Sequence, residues 1–130
     1  MRKELIDSNP LIKLYIEFSL AIISYCEELD AKKKYILSRQ LLRSGTSIRS
    51  NSMEAQNPVS KADIIHKIKI ALKKAEETQY WLILCENAAQ YPKPVGLAEK
   101  LETLGKILGS IISTAKRKTP LSYFLSLFLF

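Results

Sequence analysis

A chain of 130 residues, 47% hydrophobic and 25% charged, fits one globular domain large enough to bury a core without disulfide or metal support. Two separated cysteines, Cys26 and Cys85, and a single histidine, His66, supply neither a disulfide framework nor a zinc site. Twenty Lys and Arg against thirteen Asp and Glu leave a net +7, which points to an acidic partner.

The basic N-terminus lacks the long apolar run of a signal peptide. The most apolar segment, residues 121–130, falls short of the about 20 residues a membrane helix needs. The protein is therefore expected to be cytoplasmic, away from membranes, and without a cofactor.

In chain order, Pro10 opens a helix over residues 10–29, in which Leu11, Tyr15, Phe18, Ile22, Tyr25 and Leu29 recur at steps of four and three. Beside that stripe run Ile12, Leu14, Ile16, Ala21, Ile23 and Cys26, a second apolar face that predicts burial against another subunit. A second helix spans 32–56 and carries Ser44, Gly45, Ser47, Ser50, Ser52 and Ala55, small residues that permit close helix approach. Asn57-Pro58 ends it, and Ser60 with Asp63 forms a capping-box pattern opening a third helix over 60–89. Its expected core register is Ile65, Ile68, Leu72, Ala75, Gln79 and Leu82. After Pro92 and Pro94, a fourth helix spans 95–117, with Leu97, Leu101, Leu104, Leu108, Ile111 and Ala115 facing inward. The expectation is an all-α, antiparallel up-down-up-down four-helix bundle over 1–119, followed by an apolar tail, 120–130.

Charge is unevenly distributed. Residues 1–30 hold three cations and six anions, residues 31–80 eleven and four, residues 81–130 six and three. On the second helix, Lys32, Arg39 and Arg43 fall within about 40° of one another and predict a stripe able to follow a phosphate backbone. On the third, His66, Lys69 and Lys73 share one face, with Lys67 and Lys74 beside it. Glu76 and Glu77 are placed to pair with Lys73, and Arg39 with Glu77 across the two helices.

The runs RQLLRSGTSIRSNSMEA (39–55) and KIKIALKKAEETQYWL (67–82) resemble a bacterial family of four-helix bundles encoded in intervening sequences of large-subunit ribosomal RNA genes. A more distant likeness is to the accessory variability determinant of diversity-generating retroelements. The motif positions are Arg39, Gln40, Arg43, Ser44, Ser47, Ile48, Asn51 and Glu54, then Ala71, Leu72, Glu77, Thr78, Tyr80 and Trp81. The resemblance implies a ring-shaped homopentamer with a basic surface. In the retroelement relative that surface binds nucleic acid and a reverse transcriptase.

No base-reading motif is present, so any nucleic-acid binding is expected to be of low sequence specificity. No nucleophile–base pair, Gly-rich phosphate loop or ExxH pair is present, so the chain is expected not to be an enzyme. The Arg-His spacing of HEPN-type RNases is also missing, the nearest upstream arginine being Arg49, seventeen residues before His66. The expected nucleic-acid-binding residues are Lys32, Arg39, Arg43, Lys67, Lys69, Lys73 and Lys74. The alternative is a protein–protein scaffold that binds no nucleic acid.

Overall fold

The structure, a computed structural model, describes residues 10–53 and 60–117, with the side chains of 49–53 left aside. Four helices account for nearly all of it: α1 (Pro10–Ala31), α2 (Tyr35–Met53), α3 (Lys61–Asn87) and α4 (Leu97–Ala115). Among the described residues there is no strand. Each helix packs on its neighbours in sequence, and α1 meets α4, so all four contribute to one core. The expected tail lies outside the described residues.

The four-three spacing of α1 and α4 is what builds that core. All six stripe residues of each helix are buried. Fully burying side chains of the size of Phe18, Ile22 or Leu108 stabilises the fold by about 1.5–3 kcal/mol each. On α3 the register differs from expectation. The buried positions are Ile64, Ile68, Ala71, Ala75, Thr78, Leu82 and Cys85, while Gln79 is exposed and Ile65 and Leu72 are half-buried. The cause is the small side chains Ala71 and Thr78, which turn the helix toward α2. Thr78 there donates to the Ser44 hydroxyl at 3.0 Å, with both residues buried.

The small residues of α2 act as their type suggests. A Cβ on Gly45 would lie 3.2 and 3.3 Å from two carbons of Ile22, so glycine permits an approach of α2 to α1 that a larger residue could keep only if Ile22 gave way by a few tenths of an ångström. About one turn further along α1, the Cys26 thiol donates to the Ser38 carbonyl, and the Ser38 hydroxyl returns a bond to the Cys26 carbonyl, both at 3.3 Å. These bonds satisfy polar groups that would otherwise be stranded in the interior.

Helix α2 begins at Tyr35 rather than residue 32. Lys33 adopts φ 60, Lys33 N–H donates to the Asp30 carbonyl at 2.9 Å, and Lys34 N–H donates to the Leu29 carbonyl at 2.8 Å. This is a Schellman motif with lysine in the left-handed position that glycine usually fills. It closes α1 and leaves residues 32–34 to join it to α2. The Lys34 ammonium then lies 5.2 Å from the centre of the Tyr91 ring, and Tyr25 donates to the Pro92 carbonyl at 2.6 Å. The turn and the 88–96 connection are thereby held together at one end of the fold.

Half of the predicted capping box forms: the Ser60 hydroxyl accepts from Asp63 N–H at 3.1 Å. The Asp63 carboxylate pairs instead with Lys67 at 3.2 Å. Helix α4 starts after Gly96, which adopts φ 81, two residues later than the pattern indicates.

Candidate nucleic-acid interface

The seven cations expected to contact nucleic acid separate into three groups. Lys32 is not on α2. It sits in the turn after α1, because the Schellman motif ends one helix and delays the next, so the expected stripe loses its first member. Lys67 and Lys74 are half-buried and each has a carboxylate: Asp63 for the first and, at 3.7 Å, Glu77 for the second. Such partly exposed pairs within one helix are worth only about 0.3–0.5 kcal/mol, but they cancel local charge.

Arg39, Arg43, Lys69 and Lys73 form the third group. All four are exposed, and among the described residues none forms an ion pair. Arg43 donates to the neutral Gln40 side chain at 3.2 Å, which orients the guanidinium without neutralising it. The expected pairings of Arg39 with Glu77, and of Lys73 with Glu76 or Glu77, do not form. Glu77 is three residues from Lys74 on the same helix and is taken by it. A polar link between α2 and α3 is made instead by the buried Ser44–Thr78 bond.

That bond also fixes how the two helices present their surfaces. Ser44 and Thr78 face each other, and Tyr80, two residues on, points about 160° around α3 from Thr78 and so away from α2. At 100° per residue, His66, Lys69, Lys73 and Tyr80 fall within about 60° on the outward side of α3. Tyr80 is 56% exposed, and its ring meets that of Trp81 edge-on, with centroids 5.3 Å apart and planes at 61°. Trp81 packs half-buried against the core, and its indole N–H is buried without a hydrogen-bond partner among the described residues. Ser47 returns its hydroxyl to the Arg43 carbonyl within α2. The side chain of Asn51, and Glu54 altogether, lie outside the described residues.

A different character marks the far side of α3. A cleft of about 390 Å³ between α3 and the start of α4 is walled by Leu82, Ile83, Pro94 and Val95, and its polar rim includes Glu86 and Glu99. Apolar walls with two carboxylates and one lysine, Lys93, at the rim do not suit a phosphate backbone.

The second apolar face of α1 divides as well. Ile12 and Cys26 are buried within the chain, Leu14 and Ala21 pack partly on the core, and Ile16 is half-buried. Ile23 is exposed, and so is Leu20, at 60%. Leu42 of α2 is exposed too, three residues before the Gly45 that touches Ile22, the neighbour of Ile23.

Reactive groups are muted. Burial pushes the Cys26 thiol up to about 11, against an opposing hydrogen bond with Ser38. Burial raises Cys85 as well, and it drives the Tyr25 phenol far above its ordinary value, with Cys85 beside it adding to the effect. His66 is exposed and has no hydrogen-bonding partner among the described residues. No group of three His, Cys, Asp or Glu gathers among them to hold a metal ion, and none of their helices is long and apolar enough to cross a membrane.

Sequence reasoning did not find Ser38, Lys33 or the Tyr25–Pro92 bond. Ser38 alone left a trace, as a hydroxyl six residues before Ser44 on the same helix.

Comparison with known proteins gives a consistent result. No curated protein matches the chain. A solved structure described as a protein of unknown function from the S23 ribosomal protein family of Bacteroides thetaiotaomicron matches with a TM-score of 0.73 at 37% identity, covering 78% of this chain and 97% of that one. The family model for the 23S rRNA-intervening sequence protein matches residues 9–110. With four helices around one core and a family match over most of its length, the chain belongs to the 23S rRNA-intervening sequence protein family.

Proposed function

We propose that the protein is a non-catalytic, oligomeric helical bundle that binds nucleic acid, with little sequence preference, through the outward surfaces of α2 and α3. The observation that carries this reading is the set of exposed cations with no carboxylate partner among the described residues: Arg39, Arg43, Lys69 and Lys73. Unpaired cations of this kind release counterions from a polyanion, and each phosphate contact adds about 0.9 to the slope of log affinity against log salt. Lys67 and Lys74, already paired, contribute less. A non-catalytic role fits the chemistry, because thiols held protonated by burial are poor nucleophiles.

The test is a fluorescence-anisotropy titration of the Arg39→Glu/Arg43→Glu variant on oligonucleotides of several sequences. The expected result is uniform weakening with a salt slope reduced by about two. Unchanged affinity would remove the assignment.

The same reading includes assembly. We infer that the helices run up-down-up-down, as the contacts Cys26–Ser38 and Ile22–Gly45 support, since numbers fall along α1 as they rise along α2. Leu20, Ile23 and Leu42 then provide an apolar surface for a second copy of the chain, and the family resemblance suggests a ring of five. A ring repeats the four cations on every subunit, so weak contacts combine into avidity. Light scattering of the wild type is expected to give a multiple of 14.8 kDa, and of Leu20→Glu a smaller particle. A wild-type monomer at micromolar concentration would remove the oligomer. The exposed apolar residues favour one second reading, a scaffold that binds protein alone. It predicts assembly with no affinity for polynucleotides.

A further inference from the structure

We infer that the cleft between α3 and α4 receives the first turn of α2 from a second copy of this chain, so that copies join head to tail. This inference rests on the assembly reading above and names one of its contacts.

The cleft is apolar inside and acidic at its edge. Two of its wall residues are large apolar groups open to solvent, Ile83 at 51% and Val95 at 90%. Glu86 and Glu99 stand exposed at the rim, and among the described residues neither forms an ion pair. Lys93, also at the rim, donates to the Glu86 backbone carbonyl and leaves both carboxylates free.

The first turn of α2 has the opposite character. Ile36 is 77% exposed and Tyr35 46%, and Lys32 and Lys33 stand exposed just before them. From Ala31 to Met53 the chain holds six cations and no carboxylate. Set against its own copy, this turn would bring cation to cation. The cleft instead offers apolar walls to Tyr35 and Ile36 and carboxylates to the lysines. Leu42, part of the assembly surface, lies seven residues beyond Tyr35 on the same face of α2. Arg39 and Arg43 lie one and two turns beyond Ile36.

Position agrees with chemistry. The Lys34–Tyr91 and Tyr25–Pro92 contacts hold the 32–34 turn beside the 88–96 connection. Ile36 follows that turn and Val95 belongs to that connection, so donor and cleft lie at one end of the fold on different helices. A contact between unlike faces is heterologous, and each copy contributes one of each. Because the two faces share an end, successive copies are related by rotation with little shift along the fold, which closes a ring rather than growing a filament.

Light scattering of the full-length chain tests this with two variants. Ile36→Glu spoils the turn, and Glu86→Lys/Glu99→Lys reverses the rim. Each alone is expected to fall to a single chain of 14.8 kDa. An equimolar mixture is expected to give a particle of two chains, because one intact turn and one intact cleft remain. Melting by circular dichroism checks that both variants fold. Unchanged assembly of either variant, or a mixture that stays monomeric, overturns the inference. If Leu20→Glu reduces assembly and Ile36→Glu does not, the broader assembly reading survives and this contact falls. A wild-type monomer overturns both.

Discussion

Replacing Gly45 by alanine sets two effects of similar size against each other. In a helix interior alanine is better than glycine by about 0.8–1 kcal/mol. At this position the new methyl would sit 3.2 and 3.3 Å from the Cγ1 and Cγ2 atoms of Ile22, which is fully buried and, being β-branched, has essentially one rotamer in a helix. It has nowhere to turn, so α1 and α2 must separate slightly, at the about 1–3 kcal/mol typical of overpacking. The expected net change is a loss of about 1 kcal/mol, or a drop of some 3–5 °C in Tm for a domain of this size. Urea denaturation at fixed protein concentration measures it. Gly109 of α4 supplies the control, because a Cβ there meets nothing within 4 Å, so Gly109→Ala should gain stability where Gly45→Ala loses it. In an Ile22→Ala background the penalty at Gly45 should vanish and the helix-propensity gain emerge. If Gly45→Ala raises stability by the full propensity term in the wild-type background, the close approach of α1 and α2 is refuted.

Other outcomes follow from the interior. Thr78→Val should cost about 1–3 kcal/mol by leaving the Ser44 hydroxyl buried and unpaired, and Ser44→Ala added to it should recover part of that loss in urea titrations. Lys33→Gly should raise Tm by relieving the left-handed backbone of the turn, an effect of about 1 kcal/mol. Stability should fall at alkaline pH. Burial holds the native Cys26 thiol up to about 11 against 9.0 when unfolded, so between pH 9 and 11 the unfolded chain holds fewer protons and each unit costs about 1.4 kcal/mol. Cys26→Ala should flatten that decline, and an undiminished slope would point to other groups. Both thiols are buried, so a thiol reagent at neutral pH should label the native protein slowly and the urea-unfolded chain at once.

The stripes of α1 and α4 were readable because large apolar residues at steps of four and three leave one way to face a core. The register of α3 was less so. Its buried edge toward α2 is made of Ala71 and Thr78, which a search for large apolar side chains passes over, while Ile65 and Leu72 draw attention to the opposite flank. The start of α2 was missed for a different reason. Turn signals in a sequence are glycine, proline and asparagine, and here lysine occupies the left-handed position, its strain offset by tertiary ties such as Lys34 over Tyr91. In the candidate site, the residue types and their faces were legible, but their pairing was not. Lys73 and Lys74 are adjacent in sequence, and only geometry shows that Glu77 goes to the second and leaves the first free.

The turn at Lys33 has a bearing on the order of folding. It lets α1 and α2 join through the Cys26–Ser38 contact, a separation of 12 residues, whereas the Tyr25–Pro92 bond spans 67. Loop-closure entropy makes the longer closure dearer by about 1.5 kcal/mol. The α1–α2 hairpin is therefore expected to form early, with the link to the 88–96 connection fastened only after α3 has docked. Folding kinetics would show this as a Ser38→Ala variant that slows folding and a Tyr25→Phe variant that mainly speeds unfolding, and the reverse pattern would contradict it.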